Sequence, residues 1–178
     1  MAKTIRSMSG TSISGKRTGA GTTGRSKNGT VAMGEMPREI GMAWQEAVRV
    51  RKNAYAPYSK FQVGAVLIDD QGRSHSGCNV ENASYGATIC AERTAVLRAV
   101  ADGAKSIRHV VVVTDMNPPA PPCALCLQVL SEFSNDETRV WTGDLSGVTE
   151  VLKISELLPR HFGPKSLARG LKKPPRSP

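Results

Sequence analysis

Residues 107–126 read IRHVVVVTDMNPPAPPCALC, and the fold class can be inferred from this segment. The run Val110-Val111-Val112-Val113 is typical of a strand that is buried on both faces. The prolines within 115–122 end the strand, and a helix is predicted from Cys123 to about Phe133. A buried strand that leads directly into a helix indicates a sheet covered by helices.

The segments on either side of this stretch follow the same alternating order. They predict a helix over about 37–54, a hairpin with strands 61–68 and 73–80, a helix over 90–102, and strands 138–142 and 148–154. Residues 82–89 between the hairpin and the second helix are predicted to form an irregular loop. The chain is therefore predicted to be an α/β sandwich.

The net charge of the chain, +9, belongs to its two ends. Residues 1–36 hold six basic residues and one acid, and half of them are Gly, Ser or Thr, so we predict a disordered basic extension. Residues 165–178 add five basic residues and no acid, and 169–178 are predicted to form a basic, proline-rich tail. The 13 basic and 14 acidic residues of 37–164 nearly cancel, so the predicted domain, 37–168, is not itself basic.

The basic ends do not predict a nucleic-acid-binding protein. Proteins that bind single strands usually add aromatic stacking platforms, and neither end contains Phe, Tyr or Trp. We expect weak, non-specific contact with polyanions at most, and no specific nucleic-acid partner.

The sequence also indicates where in the cell the protein is located. No run of apolar residues is long enough to span a membrane, and the first residues lack the apolar core of a secretory signal, so no membrane partner is expected. Four cysteines in 178 residues favour a reducing environment, and we expect a cytoplasmic protein. The alternative is an organelle, if the Arg-, Ser- and Thr-rich extension acts as a transit peptide, although its seven glycines disfavour an amphipathic helix.

Three of the four cysteines stand at the starts of two predicted helices. Cys90-Ala91-Glu92 opens one, and Cys123-Ala124-Leu125-Cys126 opens the other. Helix starts favour thiolates, and three thiolates can hold one Zn²⁺ while leaving a fourth, open position, as catalytic zinc sites do. Glu92 would then lie beside the metal-bound water. Two other interpretations remain: the C-x-x-C is a redox pair, or the cysteines are small buried core residues.

A set of motifs in family-like order extends this interpretation over about 37–168. The motifs are APYSKFQVGA at 56–65, GCNVENA at 77–83, CAERTA at 90–95, PCALC at 122–126, QVL at 128–130, LLP at 157–159 and FGP at 162–164. Together they resemble the zinc-dependent cytidine deaminases, specifically the small homotetrameric class with a three-cysteine zinc site.

The resemblance implies a three-layer α/β/α sandwich with a mixed central sheet of about five strands. It implies that Cys90, Cys123 and Cys126 bind one Zn²⁺ per subunit, which activates a water molecule for attack on C4 of the pyrimidine. Glu92 would carry the protons, and Arg93 would offset the negative charge of the thiolates. The implied reaction is hydrolytic deamination of cytidine and deoxycytidine to uridine and deoxyuridine plus ammonia, in pyrimidine salvage.

Six residues are implied to bind the nucleoside: Phe61, Asn79, Glu81, Tyr85, Ala91 and Phe162. Asn79 and Glu81 resemble residues that bind the ribose 3′-hydroxyl, and the Ala91 backbone would read the edge of the base. Tyr85 and Phe162 resemble residues that reach a neighbouring subunit's site, which implies a homotetramer with shared active sites.

Two residues depart from the family pattern, which usually has Gly and Arg where this chain has Ala124 and Leu127. These departures keep two other deaminase substrates open: a modified, blasticidin-like nucleoside, or cytosine in a polynucleotide. A zinc-stabilised nucleoside binder without activity is a third hypothesis, and the presence of Glu92 argues against it.

Overall fold

The computed structural model describes residues 36–164, 166 and 167. Its main helices and strands follow one another as α1 Arg38–Arg51, β1 Gly64–Asp69, β2 Ser74–Cys78, α2 Ala91–Ala101, β3 Ile107–Val113, α3 Ala124–Glu132, β4 Arg139–Gly143, β5 Val148–Lys153 and α4 Ile154–Leu157. The predicted extension, apart from Met36, and the predicted tail at 169–178 lie outside the described residues.

The five strands form one mixed sheet in the order β2-β1-β3-β4-β5. Only β3 and β4 pair in parallel, and the other neighbouring strands are antiparallel. Because β1 is antiparallel to both β2 and β3, the strands β2, β3 and β4 all run in one direction. The helices α2 and α3 therefore connect strands of the same direction, and both begin at the same edge of the sheet.

Helices cover both faces of the sheet, which confirms the predicted α/β fold. Val110 and Val112 face Ala95 of α2 and Leu130 of α3, whereas Val111 and Val113 belong to the core beneath α1. All four valines of the run are at most 2% exposed. The valine run is thus buried on both faces, as its composition predicts.

Two details of the secondary structure differ from the sequence prediction. The strand predicted from Phe61 begins only at Gly64, and Phe61 and Val63 instead line a cavity described below. The helical spacing of apolar residues predicts a buried stripe of Ala95, Val96, Ala99 and Val100 on α2, but Val100 is 46% exposed because it lies at the outer edge of that stripe.

The close approach of α2 to β2 depends on Gly77. A Cβ atom on this residue would lie 2.5 Å from the nitrogen of Ala95 and 2.6 Å from the oxygen of Ala91, both backbone atoms of α2. A side chain here is therefore sterically excluded. Gly77 thereby fixes the depth at which the first turns of α2, including Glu92, sit against the sheet.

None of the helices in the described part of the chain is both long and apolar enough to cross a membrane.

Candidate active site

The three cysteines predicted to bind zinc lie together at the starts of α2 and α3. Cys90 is the N-cap of α2, Cys123 is the N-cap of α3, and Cys126 lies in the first turn of α3. Their sulfur atoms all lie within 4.8 Å of one another. Both helices present unpaired backbone N–H groups at these ends, which favours negative charge on the sulfurs.

The thiols already share protons unequally. A hydrogen bond from Cys126 lowers the pKa of Cys90 to about 5, against the opposing effect of burial, and Arg93 lowers it further. The same hydrogen bond, together with burial, raises the pKa of Cys126. Three soft sulfur donors, one of them inclined to ionise, fit Zn²⁺ well. No disulfide joins any of the four cysteines, all of which lie in the described part of the chain.

Glu92 follows Cys90 by two residues and is placed by the first turn of α2. Its side chain is almost completely buried, at 5% residue exposure, yet it lines the same cavity as Cys90 and Cys123. Burial raises the pKa of the Glu92 carboxyl above its ordinary value, and the negative charge of Cys90 acts in the same direction. The arrangement places a carboxyl group that holds protons readily at the base of the cavity.

Arg93 contacts the thiol cluster from its inner side. Its Nη2 donates a hydrogen bond to the carbonyl oxygen of Thr88 at 2.7 Å and lies 3.9 Å from Cys90 Sγ. Burial opposes the charge of Arg93, but its interactions with Cys90 and Cys126 together outweigh this effect and raise the pKa of the guanidinium. Within the described part of the chain, the buried Nε of Arg93 has no hydrogen-bond partner.

Leu127 offers no second positive charge. It is 5% exposed and packs within the apolar core between the sheet and the helices α2 and α3. Ala124, the other departure from the family pattern, is the first residue of α3, where its methyl group is accommodated by a helical backbone. Lys60 is the one non-glycine residue of the described segments with a positive φ, so Ala124 is unstrained.

A cavity of about 330 Å³ opens above the thiols and Glu92. This volume lies at the lower end of the range for small-molecule sites. The cavity brings together the predicted residues Phe61, Asn79, Glu81, Cys90, Glu92 and Cys123. Its lining also includes Ser59, Val63, Thr88, Val112, Thr114, Ala120 and Pro121, which the sequence analysis did not assign to the site.

The polar side chains of the cavity are held by neighbouring backbone. Asn79 Oδ1 accepts from the Val63 N–H at 2.8 Å, and Asn79 Nδ2 donates to the Phe61 carbonyl at 2.8 Å. Glu81 accepts from the Tyr58 N–H at 2.9 Å and from the Ser59 hydroxyl. The Ser59 bond lowers the pKa of Glu81, so the carboxylate is ionised and fixed in place.

Three of the predicted substrate-binding residues lie outside the cavity lining. Ala91 is completely buried, so only its backbone is available to a ligand. Tyr85 is 79% exposed in an adjoining open groove, where its ring lies 6.5 Å from that of Tyr58. Phe162 is 62% exposed, and its carbonyl accepts a hydrogen bond from Gln128 at 2.6 Å.

The fold and the site together define a class of protein. An α/β/α sandwich with three thiols at two helix starts and a buried glutamate in the same cavity is the architecture of a zinc-dependent hydrolytic enzyme. Residues 38–142 match the family model described as the cytidine and deoxycytidylate deaminase zinc-binding region. The chain belongs to this family, and zinc is its cofactor.

Individual relatives agree with the family match. A cytidine deaminase of Halalkalibacterium halodurans is 46% identical over 121 residues, which cover 68% of this chain and 92% of the relative. A cytidine deaminase of Sporosarcina psychrophila is 43% identical over 123 residues, covering 69% of this chain and 90% of the relative. The crystal structure of a cytidine deaminase from Burkholderia pseudomallei superimposes with a TM-score of 0.66 at 39% identity, covering 71% of this chain and all of that one.

Proposed function

We propose that this protein catalyses the zinc-dependent hydrolytic deamination of cytidine and deoxycytidine to uridine and deoxyuridine, releasing ammonia. The observation that carries the proposal is the placement of three mutually close thiols and one buried carboxyl group at the base of a cavity of about 330 Å³. The family match and the cytidine deaminases among its relatives support the same reaction.

Cys90, Cys123 and Cys126 would hold the zinc ion in this mechanism. When bound, the ion supplies Lewis-acid activation of a water molecule at neutral pH. Glu92 moves two protons in turn: its carboxylate accepts the first from the attacking water and delivers it to N3 of the pyrimidine. It then accepts the second proton from the same oxygen, now bonded to C4, and delivers it to the C4 amino group, which leaves as ammonia when the C4–N bond breaks. Water and the nucleoside are consumed, and the uridine form and ammonia are produced, so protons balance over the cycle.

Arg93 would tune this centre. Three thiolates and one Zn²⁺ carry a net charge of −1, and the guanidinium that contacts Cys90 offsets it. Because Leu127 is apolar and buried, more of this compensation rests on Arg93 in this chain.

The walls of the cavity are proposed to select a nucleoside. Glu81 and Asn79 are held rigidly and present oxygen and nitrogen atoms to a sugar hydroxyl, while Phe61 packs against the ring and sugar. A site built around a hydroxyl rejects ligands that lack it, because its own polar groups then stay unpaired. The backbone of Ala91 would read the edge of the base.

We further propose a homotetramer in which subunits share active sites. The exposure of two large aromatic side chains, Tyr85 in the groove beside the cavity and Phe162, supports this arrangement, because a neighbouring subunit would cover them. A reducing, cytoplasmic location and a role in pyrimidine salvage complete the proposal, and the absence of disulfides among the four cysteines agrees with such a location.

The direct test is the loss of cytosine absorbance when the purified, zinc-quantified protein is incubated with cytidine. We expect turnover of cytidine and deoxycytidine, with one zinc per subunit, and abolition by a chelator. Glu92→Gln should lower kcat by about 100-fold or more while zinc is retained, since proton transfer contributes ~10²–10⁴. A zinc-replete wild-type protein without activity on cytidine would refute the proposal.

Two further substrates distinguish the alternatives. A cytosine-containing oligonucleotide and a blasticidin-type compound should react far more slowly than cytidine. If either compound reacted faster than cytidine, that compound would represent the substrate class. The zinc-dependent deamination itself would still stand.

A further inference from the structure

Arg51 is a buried arginine that reaches the two walls of the cavity from behind. It is the last residue of α1, its side chain is 10% exposed, and it does not line the cavity. Its Nη2 donates to Asp115 Oδ2 at 2.7 Å, and its Nε donates to the carbonyl oxygen of Gln62 at 2.9 Å. The two partners are far apart in sequence, so one side chain joins two separate segments.

Each partner belongs to a wall of the cavity. Gln62 lies between Phe61 and Val63, which both line the cavity. Asp115 directly follows Thr114, another lining residue, and begins the proline loop that leads to lining residues Ala120 and Pro121 and then to Cys123. The guanidinium group of Arg51 therefore connects the two walls of the cavity.

The end of α1 is itself firmly placed. A Cβ atom at Gly64, the first residue of β1, would lie 2.0 Å from the carbonyl oxygen of Ala47 and 2.9 Å from Cβ of Arg51. The helix thus rests directly on the start of the strand, with Ile40 and Ala47 completely buried beneath it. Because the end of α1 is fixed, the two hydrogen bonds of Arg51 position the cavity walls. The walls are not needed to hold Arg51 in place.

We propose that Arg51, through its bonds to Gln62 and Asp115, is a positioning residue that sets the spacing of the cavity walls and thereby the affinity for the nucleoside. The fork of the guanidinium serves two acceptors in different directions at once, which a lysine ammonium on one stem does poorly. Arg51 touches no reacting atom. Its effect on substrate affinity rests on the proposed function, whereas its effect on wall rigidity does not.

The kinetic test compares Arg51→Gln, Arg51→Lys, Asp115→Asn and the Arg51→Gln/Asp115→Asn double variant with the wild type. Arg49→Gln is the matched control, because Arg49 lies on the same helix, is 67% exposed and bonds to Glu46 on the surface. We expect Arg51→Gln to raise KM for cytidine by about tenfold, the order expected when a hydrogen bond to a charged group is lost. Zinc content should be unchanged, and kcat should stay within about threefold, since α2 and α3 carry the reacting groups.

The pattern across the series separates positioning from a general loss of stability. Arg51→Lys should fall between the wild type and Arg51→Gln, and the double variant should be no worse than Arg51→Gln, because both changes break one interaction. Equal KM values for Arg51→Gln and Arg49→Gln would overturn the proposal. Additive effects in the double variant would also overturn it. Asp115 is half exposed, so Asp115→Asn provides a folded variant even if Arg51→Gln does not fold.

Hydrogen exchange supplies a readout that needs no turnover. In Arg51→Gln, the backbone amides of the non-proline residues of 57–63 and of 114–123 should exchange about tenfold faster than in the wild type. In Asp115→Asn, which keeps the bond from Arg51 to Gln62, the segment 114–123 should show the same increase, while Arg49→Gln leaves both segments unchanged. Unchanged exchange in either segment of Arg51→Gln, or in 114–123 of Asp115→Asn, would overturn the proposed bridging role. If the wild type failed to deaminate cytidine, the proposed function would fall, and the exchange experiment would still decide the role of Arg51.

Discussion

Replacing Gly77 with alanine should damage both stability and catalysis through one displacement. The added Cβ would lie 2.5 Å from the Ala95 nitrogen and 2.6 Å from the Ala91 oxygen, whereas ordinary van der Waals contact begins at 3.4 Å. Because both neighbours are backbone atoms of one helix, no side chain can rotate away. The first turns of α2 must retreat by about 1 Å, the difference between these distances.

The retreat carries Cys90 and Glu92 away from Cys123 and Cys126, which belong to α3 and do not move with α2. A misplacement of ~1 Å at a reacting centre costs about 100-fold in rate. Overpacking against backbone costs about 3 kcal/mol in the free energy of unfolding, which for a domain of this size lowers Tm by about 10 °C. We therefore expect a folded but less stable variant whose kcat for cytidine falls about 100-fold.

The assay measures kcat on cytidine together with zinc content and thermal unfolding. Gly41→Ala is the control, since it lies within α1, where the nearest atom to the new Cβ would be Met36 Cε at an ordinary 3.5 Å. This control should be as active as the wild type and stabilised by up to ~1 kcal/mol. A Gly77→Ala protein with wild-type kcat and a Tm within about 2 °C of the wild type would show that α2 is not displaced by the added methyl group.

Three other changes have expected outcomes. Burial opposes ionisation of Asp69, but hydrogen bonds from His75 and Arg73 hold its pKa at about 2, below the ordinary 3.8. Because these bonds favour the carboxylate, Asp69→Asn should lower the free energy of unfolding by about 2 kcal/mol at pH 7. That contribution is complete above pH 3.8 and lost as the pH falls towards 2, so an equal deficit in urea unfolding at pH 2 and pH 7 would contradict it. Arg93→Gln should reduce turnover by about tenfold, and undiminished turnover with full zinc content would exclude its role beside the thiols. Deleting residues 1–36 should leave zinc binding and cytidine turnover intact, and a loss of either would show that the extension serves the domain.

The chemistry of the site was predictable because its main residues lie within short motifs. Cys90 and Glu92 are two residues apart, and Cys123 and Cys126 are three apart, so each pair is fixed by one helix start. The alternation of strands and helices then places both starts at one sheet edge. The two helix starts therefore predict the thiol cluster that the structure contains.

The parts that escaped prediction depend on contacts between distant residues. Arg51 bonds to Asp115, which lies 64 residues further along the chain, and nothing in either local sequence indicates the pairing. The strand predicted from Phe61 starts late because Asn79 takes the Val63 N–H and the Phe61 carbonyl as partners for its side chain. A side-chain amide here replaces strand pairing, which no pattern of hydrophobic residues reveals.

The crossover through α2 also links the thiol cluster to one step of folding. Cys90 follows β2 and Cys123 follows β3, so the two cysteines meet only when the connection between these strands of the same direction has closed, whereas α1 and the hairpin of β1 and β2 need only local contacts. The thiol cluster therefore requires a contact of longer range than the hairpin does. The rate at which these thiols become protected from an alkylating reagent during refolding reports the closure of that crossover.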